Sequence, residues 1–265
     1  MKRWRGRRAR VAEAPQMPGF REECTKLAPL ESVDPEVFRG NADVPQALCN
    51  FVLAIALIYN DCKDALYAHV ALAGLKPAGP PVKTRTWGAI GGAQLHAFRA
   101  VAGLLHELLE LIRDNRDLLY HDFFMSVLHQ LHPVSREAWE ALVNVACDAS
   151  PTDRLGKRLL LLRNKIFFHY DPKAIFQGYT EHFLATTKAD DRAYLSRGDS
   201  MRATRFYFAD AAATGYVRFL VGPEQHDELM EHMGEIIDQV NHGLMMLVGA
   251  YIQRRGYPFR PEAEP

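Results

Sequence analysis

Apolar residues recur at alternating four- and three-residue steps along most of the chain that follows Asp43. In the first such stretch the recurring positions are Leu48, Val52, Ile55, Tyr59, Cys62 and Leu66. This spacing is typical of one face of an amphipathic helix that packs in a bundle. Asp43 is suited to cap the helix, with Pro45 in its first turn, and the run of prolines and glycine after Leu75 ends it.

The same period predicts further helices along the chain. The second helix runs from Gly92 to Pro133 with a bend near Asn115, and Ser135 caps a short third helix. The fourth runs from Ser150-Pro151 to Pro172, and the last from Pro223 to Gly256. Prolines in first turns, and glycine beyond a basic last turn, are the expected start and stop signals. The pattern therefore predicts an all-α bundle of about five main helices.

One segment departs from the helical period. Residues 202–208 are aromatic and partly alternate, which favours a strand or hairpin, with irregular packing against the bundle as the alternative. We therefore expect an irregular or small β-hairpin insert around 178–222. The predicted organisation is a basic, largely irregular arm at 1–42, a helical domain at 43–257 and a tail at 258–265.

Charge is balanced overall but uneven along the chain. Lys+Arg and Asp+Glu number 32 each, yet six of the first ten residues are basic and surround Trp4. Such an arm could hold a nucleic-acid backbone, and a solvated arm without that role is the alternative. No secretory signal follows the basic start, and the longest uncharged apolar run, Phe51–Tyr59, is far shorter than a membrane span. We expect a cytoplasmic protein that does not enter a membrane.

Candidate chemistry is concentrated in one string of residues, 163–170, at the end of an apolar helical run. Its members are Arg163-Asn164-Lys165-Ile166-Phe167-Phe168-His169-Tyr170. An arginine can grip a phosphate and a histidine can move a proton, and these are the groups that a metal-free ribonuclease needs.

The string resembles the Arg-x(4–6)-His signature of the HEPN superfamily, in which a polar residue, often Asn, follows the arginine. The resemblance implies a metal-independent endoribonuclease that needs no cofactor. In it, His169 would act as general acid or base, Arg163 would stabilise the phosphate and Asn164 would orient the arginine or a phosphate oxygen. HEPN enzymes are typically dimers whose motifs face each other, so a homodimer with a shared site is implied. A toxin or defence role, with an inhibitory partner protein, would be typical of the superfamily.

Helix geometry sets a condition on this hypothesis. On an ideal helix, Arg163 and His169 lie about 120° apart, with about 9 Å of axial rise between them. Their side chains converge only if the last turn is loosened, or if a second copy of the motif comes from a partner chain.

Several neighbouring residues are candidates for contacts with RNA. These are Lys165, Tyr170, Arg202 and Arg205. For Arg202 and Arg205 the alternative is a salt-bridged surface that includes Asp210. No phosphate-binding glycine loop occurs. No metal site is expected either, since His129 and His132 would make a weak one at best. The competing function is a non-catalytic helical module that binds RNA, a nucleotide or a protein partner.

Overall fold

A computed structural model of the protein describes residues 31–75, 84–147, 154–167, 170–185, 192–200, 204–222, 226–257 and 259–261. Residues Pro35–Tyr257 form a compact helical unit. The remaining described residues belong to a second unit. In that unit β1 (Glu31–Ser32) pairs antiparallel with β2 (Arg260–Pro261), and Glu31 lies opposite Pro261.

The helical unit confirms the all-α class. After a 3₁₀ turn at Pro35–Phe38, its helices are α1 (Gln46–Gly74), α2 (Arg85–Asp114), α3 (Arg116–Leu119), α4 (Asp122–Leu128), α5 (Pro133–Cys147), α6 (Arg154–Leu162), α7 (Pro172–Tyr179), α8 (Tyr207–Val221), α9 (His226–Gln239) and α10 (Met245–Arg254). Three π-helical turns extend α6, α7 and α9, at Arg163–Phe167, Thr180–Leu184 and Val240–Leu244. None of the helices described is both long and apolar enough to cross a membrane.

The core forms where the predicted stripes meet. On α1, Leu48, Val52 and Ile55 are fully buried, which confirms the face expected from the spacing. Phe124 meets both Phe51 and Trp139 edge to face, with ring centroids 6.0 and 5.7 Å apart. Edge-to-face pairs of this kind add to the free energy gained from burying the rings. These contacts pack α1 against α4 and α4 against α5.

Two predicted helix starts are wrong. Helix α2 begins at Arg85, well before Gly92, because the Thr84 hydroxyl accepts a hydrogen bond from the Trp87 amide at 3.3 Å and caps it. Ser135 lies buried inside α5 and does not cap it. The helix expected to end by Pro172 does end before it, its last described turn closing at Phe167, and Pro172 then begins α7. The predicted start at Ser150-Pro151 lies outside the described residues.

The segment around 178–222 is only partly the insert that was expected. An antiparallel bridge joins Ser196 to Arg205, with N–O distances of 2.8 and 2.9 Å, and it is the β element in the described part of this segment. The residues that follow form α8 and are helical. They pack on α7 where Gly178 meets Gly215, so closely that a Cβ atom on either glycine would collide with backbone atoms of the other helix. Small residues permit this crossing, and glycine and alanine at the contact give the sequence pattern little apolar signal.

Candidate functional site

The candidate motif lies where α6 changes into a wider helical turn. Leu159 and Leu162 are fully buried and anchor α6, and the π-helical turn begins at the next residue, Arg163. Its end is tied down by the Asp171 amide, which donates to the Lys165 carbonyl at 3.1 Å. Single π turns occur often at functional sites. The last turn of this helix is thus loosened, although Phe168 and His169 lie outside the described residues.

Arg163 is held from two sides. Its Nη2 lies 2.9 Å from Glu107 Oε1 on α2, and its Nη1 donates to Asn164 Oδ1 at 3.1 Å. The Arg163 side chain is 34% exposed and that of Glu107 is 46% exposed. The guanidinium is therefore oriented by the protein and still reachable from solvent. Its Nε is buried and has no hydrogen-bond acceptor among the described residues.

His106, beside Glu107, is a buried titratable group that the sequence pattern did not single out. Burial lowers its pKa, Glu107 opposes that shift, and Arg163 and Arg113 add to it. On the same helix, Glu110 Oε1 lies 4.0 Å from His106 Nε2. The lowered pKa keeps the imidazole neutral at neutral pH.

Lys165 is engaged with Asp171. Its Nζ donates to Asp171 Oδ2 at 2.7 Å, and this hydrogen bond raises the pKa of Lys165 and lowers the pKa of Asp171. The other carboxylate oxygen of Asp171 caps α7, because it accepts from the Lys173 amide at 2.9 Å. Any contact between Lys165 and a phosphate therefore has to compete with a carboxylate.

Tyr170, the last residue of the string, projects into solvent. It is 69% exposed, and the guanidinium carbon of Arg99 on α2 lies 5.4 Å from the centre of its ring. This distance is within the range of a cation–π contact. Arg99 is a second residue of α2 that joins the neighbourhood of the motif.

Of the other two candidates for RNA contacts, Arg205 belongs to the antiparallel bridge. Arg205 is half-buried, and its Nε and Nη2 donate to the Asp210 carboxylate at 2.9 and 3.3 Å. Its guanidinium also lies so close to Gly92 that a Cβ atom there would overlap it. This is the arrangement that the salt-bridge alternative described. Arg202 lies outside the described residues.

Helix α2 is thus the part of the site that sequence reasoning missed. It contributes Arg99, His106 and Glu107, which are distant in the chain from the motif. The signal in the sequence is a line of polar residues along α2 at steps of seven, four and three, namely Arg99, His106, Glu110 and Arg113. A polar stripe alone predicts a solvated helix face, so the pairing with the motif becomes visible only in the fold.

A separate cavity of about 230 Å³ lies between α1, α2 and the π turn that follows α9. Leu66, Val101 and Leu105 contribute to its apolar wall, and Cys62 also lines it. Burial raises the pKa of the Cys62 thiol to about 12. A thiol that stays protonated is a poor nucleophile, so this cavity offers no thiolate chemistry. Within the described parts of the chain, no cluster of His, Cys, Asp or Glu has the composition to hold a metal ion.

Comparison with known proteins found no relative. No family model matches the chain, and searches of curated proteins and of solved structures gave no match either.

Proposed function

We propose that the protein is a metal-independent endoribonuclease whose reactive groups are Arg163 and His169. The observation that carries the proposal is the setting of Arg163, which starts a loosened helical turn, is oriented by Glu107 and Asn164, and keeps a third of its side chain exposed. A guanidinium fixed in this way can meet the charge that develops on a phosphate without reorganising. HEPN membership remains part of this proposal.

The reaction is an internal transfer on RNA. The 2′-hydroxyl oxygen attacks the adjacent phosphorus, the bond from phosphorus to the 5′-oxygen breaks, and the products are a cyclic phosphate and a free 5′-hydroxyl. His169 takes the proton from the 2′-hydroxyl or gives one to the leaving oxygen. In a homodimer, His169 of one chain can act on a phosphate held by Arg163 of the other, and solvent carries the remaining proton. Asn164 orients the arginine. A toxin or defence role belongs to the same proposal, in which an inhibitory partner protein would restrain the enzyme.

The Arg163–Glu107 pair also favours the competing function. A guanidinium that is already compensated by a carboxylate attracts a phosphate less strongly than a free one does. A non-catalytic helical module that binds RNA, a nucleotide or a protein partner would retain the pair as a purely structural contact. The two functions differ in whether removal of Arg163 or His169 abolishes bond cleavage.

The test is cleavage of varied RNAs by purified protein in the presence of a chelator. We expect Arg163→Ala to lower the cleavage rate about 10²- to 10³-fold and His169→Ala to lower it about 10²- to 10⁴-fold. Both variants should keep the helical circular dichroism of the wild type. Arg116→Ala and His242→Ala, which change exposed residues of the same types, are the matched controls.

Mixing the two inactive variants tests the shared site. If each site takes Arg163 from one chain and His169 from the other, mixed dimers contain one intact site and recover part of the activity. Cleavage that survives both substitutions, or no cleavage of any RNA by the wild type, would favour the binding module.

A further inference from the structure

We propose that Tyr170 and Arg99 together form a stacking platform for one unpaired base of the RNA substrate, a role that rests on the proposed function. Tyr170 is 69% exposed although it closes the motif string. One face of the ring lies against the Arg99 guanidinium at 5.4 Å. An aromatic ring backed by a cation and open to solvent is the kind of surface on which nucleic-acid bases stack.

The platform lies at a useful distance from Arg163. Arg99 and Glu107 are eight residues apart on α2, which corresponds to about 12 Å along the helix axis and a rotation of about 80°. Since Arg163 contacts Glu107 and Tyr170 contacts Arg99, the two ends of the string meet the same side of α2 at these two levels. A single strand that crosses this surface can place a phosphate at Arg163 and a nearby base on Tyr170.

The contacts also indicate which RNA is bound. A tyrosine ring presents a flat apolar face and one hydroxyl, so it accepts any base with little selectivity. A base has to be unstacked and unpaired before it can lie on the ring, and bases inside an A-form duplex are not available in this way. We therefore infer that the ligand is single-stranded RNA, bound with weak preference for base identity.

The experiment measures binding separately from cleavage. A labelled single strand of about eight nucleotides, fully 2′-O-methylated, lacks the attacking hydroxyl and stays intact. Fluorescence anisotropy with the full-length chain then gives the dissociation constant. We expect Tyr170→Ala to weaken binding roughly 5- to 150-fold. Tyr170→Phe, which keeps the ring, should bind like the wild type, whereas Tyr170→Leu, which keeps only apolar bulk, should resemble the alanine variant.

Two further variants complete the design. Tyr120 is 66% exposed elsewhere in the fold, so Tyr120→Ala is the matched control and should leave the dissociation constant unchanged. Arg99→Gln removes the charge behind the ring and should weaken binding about 2- to 5-fold. A duplex of the same sequence should compete poorly for the site.

The outcomes separate the platform from the nuclease. Any one of four results would overturn the platform: unchanged binding in Tyr170→Ala, equal binding by Tyr170→Leu and Tyr170→Phe, equally tight binding of the duplex, or no binding by the wild type. If cleavage depends on His169 while binding ignores Tyr170, the nuclease stands and the platform is wrong. If binding depends on the Tyr170 ring while neither Arg163→Ala nor His169→Ala affects cleavage, the platform stands and the nuclease proposal fails.

Discussion

At the scale of single residues, the Arg163–Glu107 ion pair determines how mutants of the site are interpreted. Both side chains are partly exposed, at 34% and 46%. Pairs in such surroundings are screened by water and contribute little to folding. Loss of activity in an Arg163 variant would therefore report on chemistry and not on collapse of the fold, provided that the pair is as weak as its exposure indicates.

A double-mutant cycle measures that contribution. We expect Arg163→Ala and Glu107→Ala to couple by only about 0.2–1 kcal/mol in the free energy of unfolding, measured by urea denaturation. The ion pair between Glu110 and Arg113 on α2 provides a matched cycle with similar exposure. A coupling of several kcal/mol for Arg163 and Glu107 alone would make the arginine a structural residue and would favour the non-catalytic module.

At the scale of helices, the crossing of α7 and α8 depends on two glycines. A Cβ atom added at Gly215 would run into the Gly178 carbonyl oxygen, which is backbone and has little room to move. The helices would have to separate, and the contacts around the buried Ala212 would loosen with them. The exposed Gly234 on α9 has nothing within 4 Å of such an atom.

The same chemical change should therefore have opposite effects at these two positions. We expect Gly215→Ala to lower the free energy of unfolding by about 1–3 kcal/mol, as overpacking does. Gly234→Ala should raise it by about 0.4–1 kcal/mol, because alanine restricts the unfolded chain and favours the helix. Urea denaturation of both variants checks the pair of values. A Gly215→Ala variant as stable as the wild type would mean that the crossing is looser than described.

These examples also show how far the sequence can predict the molecule. Helix α1 is readable because large apolar residues such as Leu48 and Ile55 mark its buried face. Helix α8 is not, because its crossing uses glycine and alanine. Arg163 and Asn164 are visible as a local string, whereas Glu107 is distant in the chain and reaches Arg163 only through the packing of α2 against α6. Local spacing predicts which helices form, and partners across helices require the fold.

At the scale of the whole helical unit, α2 couples the candidate site to global stability. One face of this helix buries Leu105, Leu108 and Ile112 in the core, and the same helix carries Glu107 to the motif. His106 lies between these two faces and is buried. A change in the protonation of His106 therefore affects the core and the site together.

The pH dependence of stability follows from the lowered pKa of His106. Burial disfavours the charged imidazole, so the folded chain binds this proton less readily than the unfolded chain, whose histidine titrates near 6.5. Above about pH 6.5 the protonation of His106 does not affect stability. As the pH drops from about 6.5 towards the lowered pKa, the free energy of unfolding falls by at most about 1.4 kcal/mol per pH unit for one proton.

Urea midpoints should decline from pH 7.5 to 5.5 in the wild type. The decline should be smaller in His106→Gln. It should be unchanged in His242→Gln, because His242 is exposed in the wild type. An equally steep decline in His106→Gln would assign the acid sensitivity to carboxylates and remove His106 from this role.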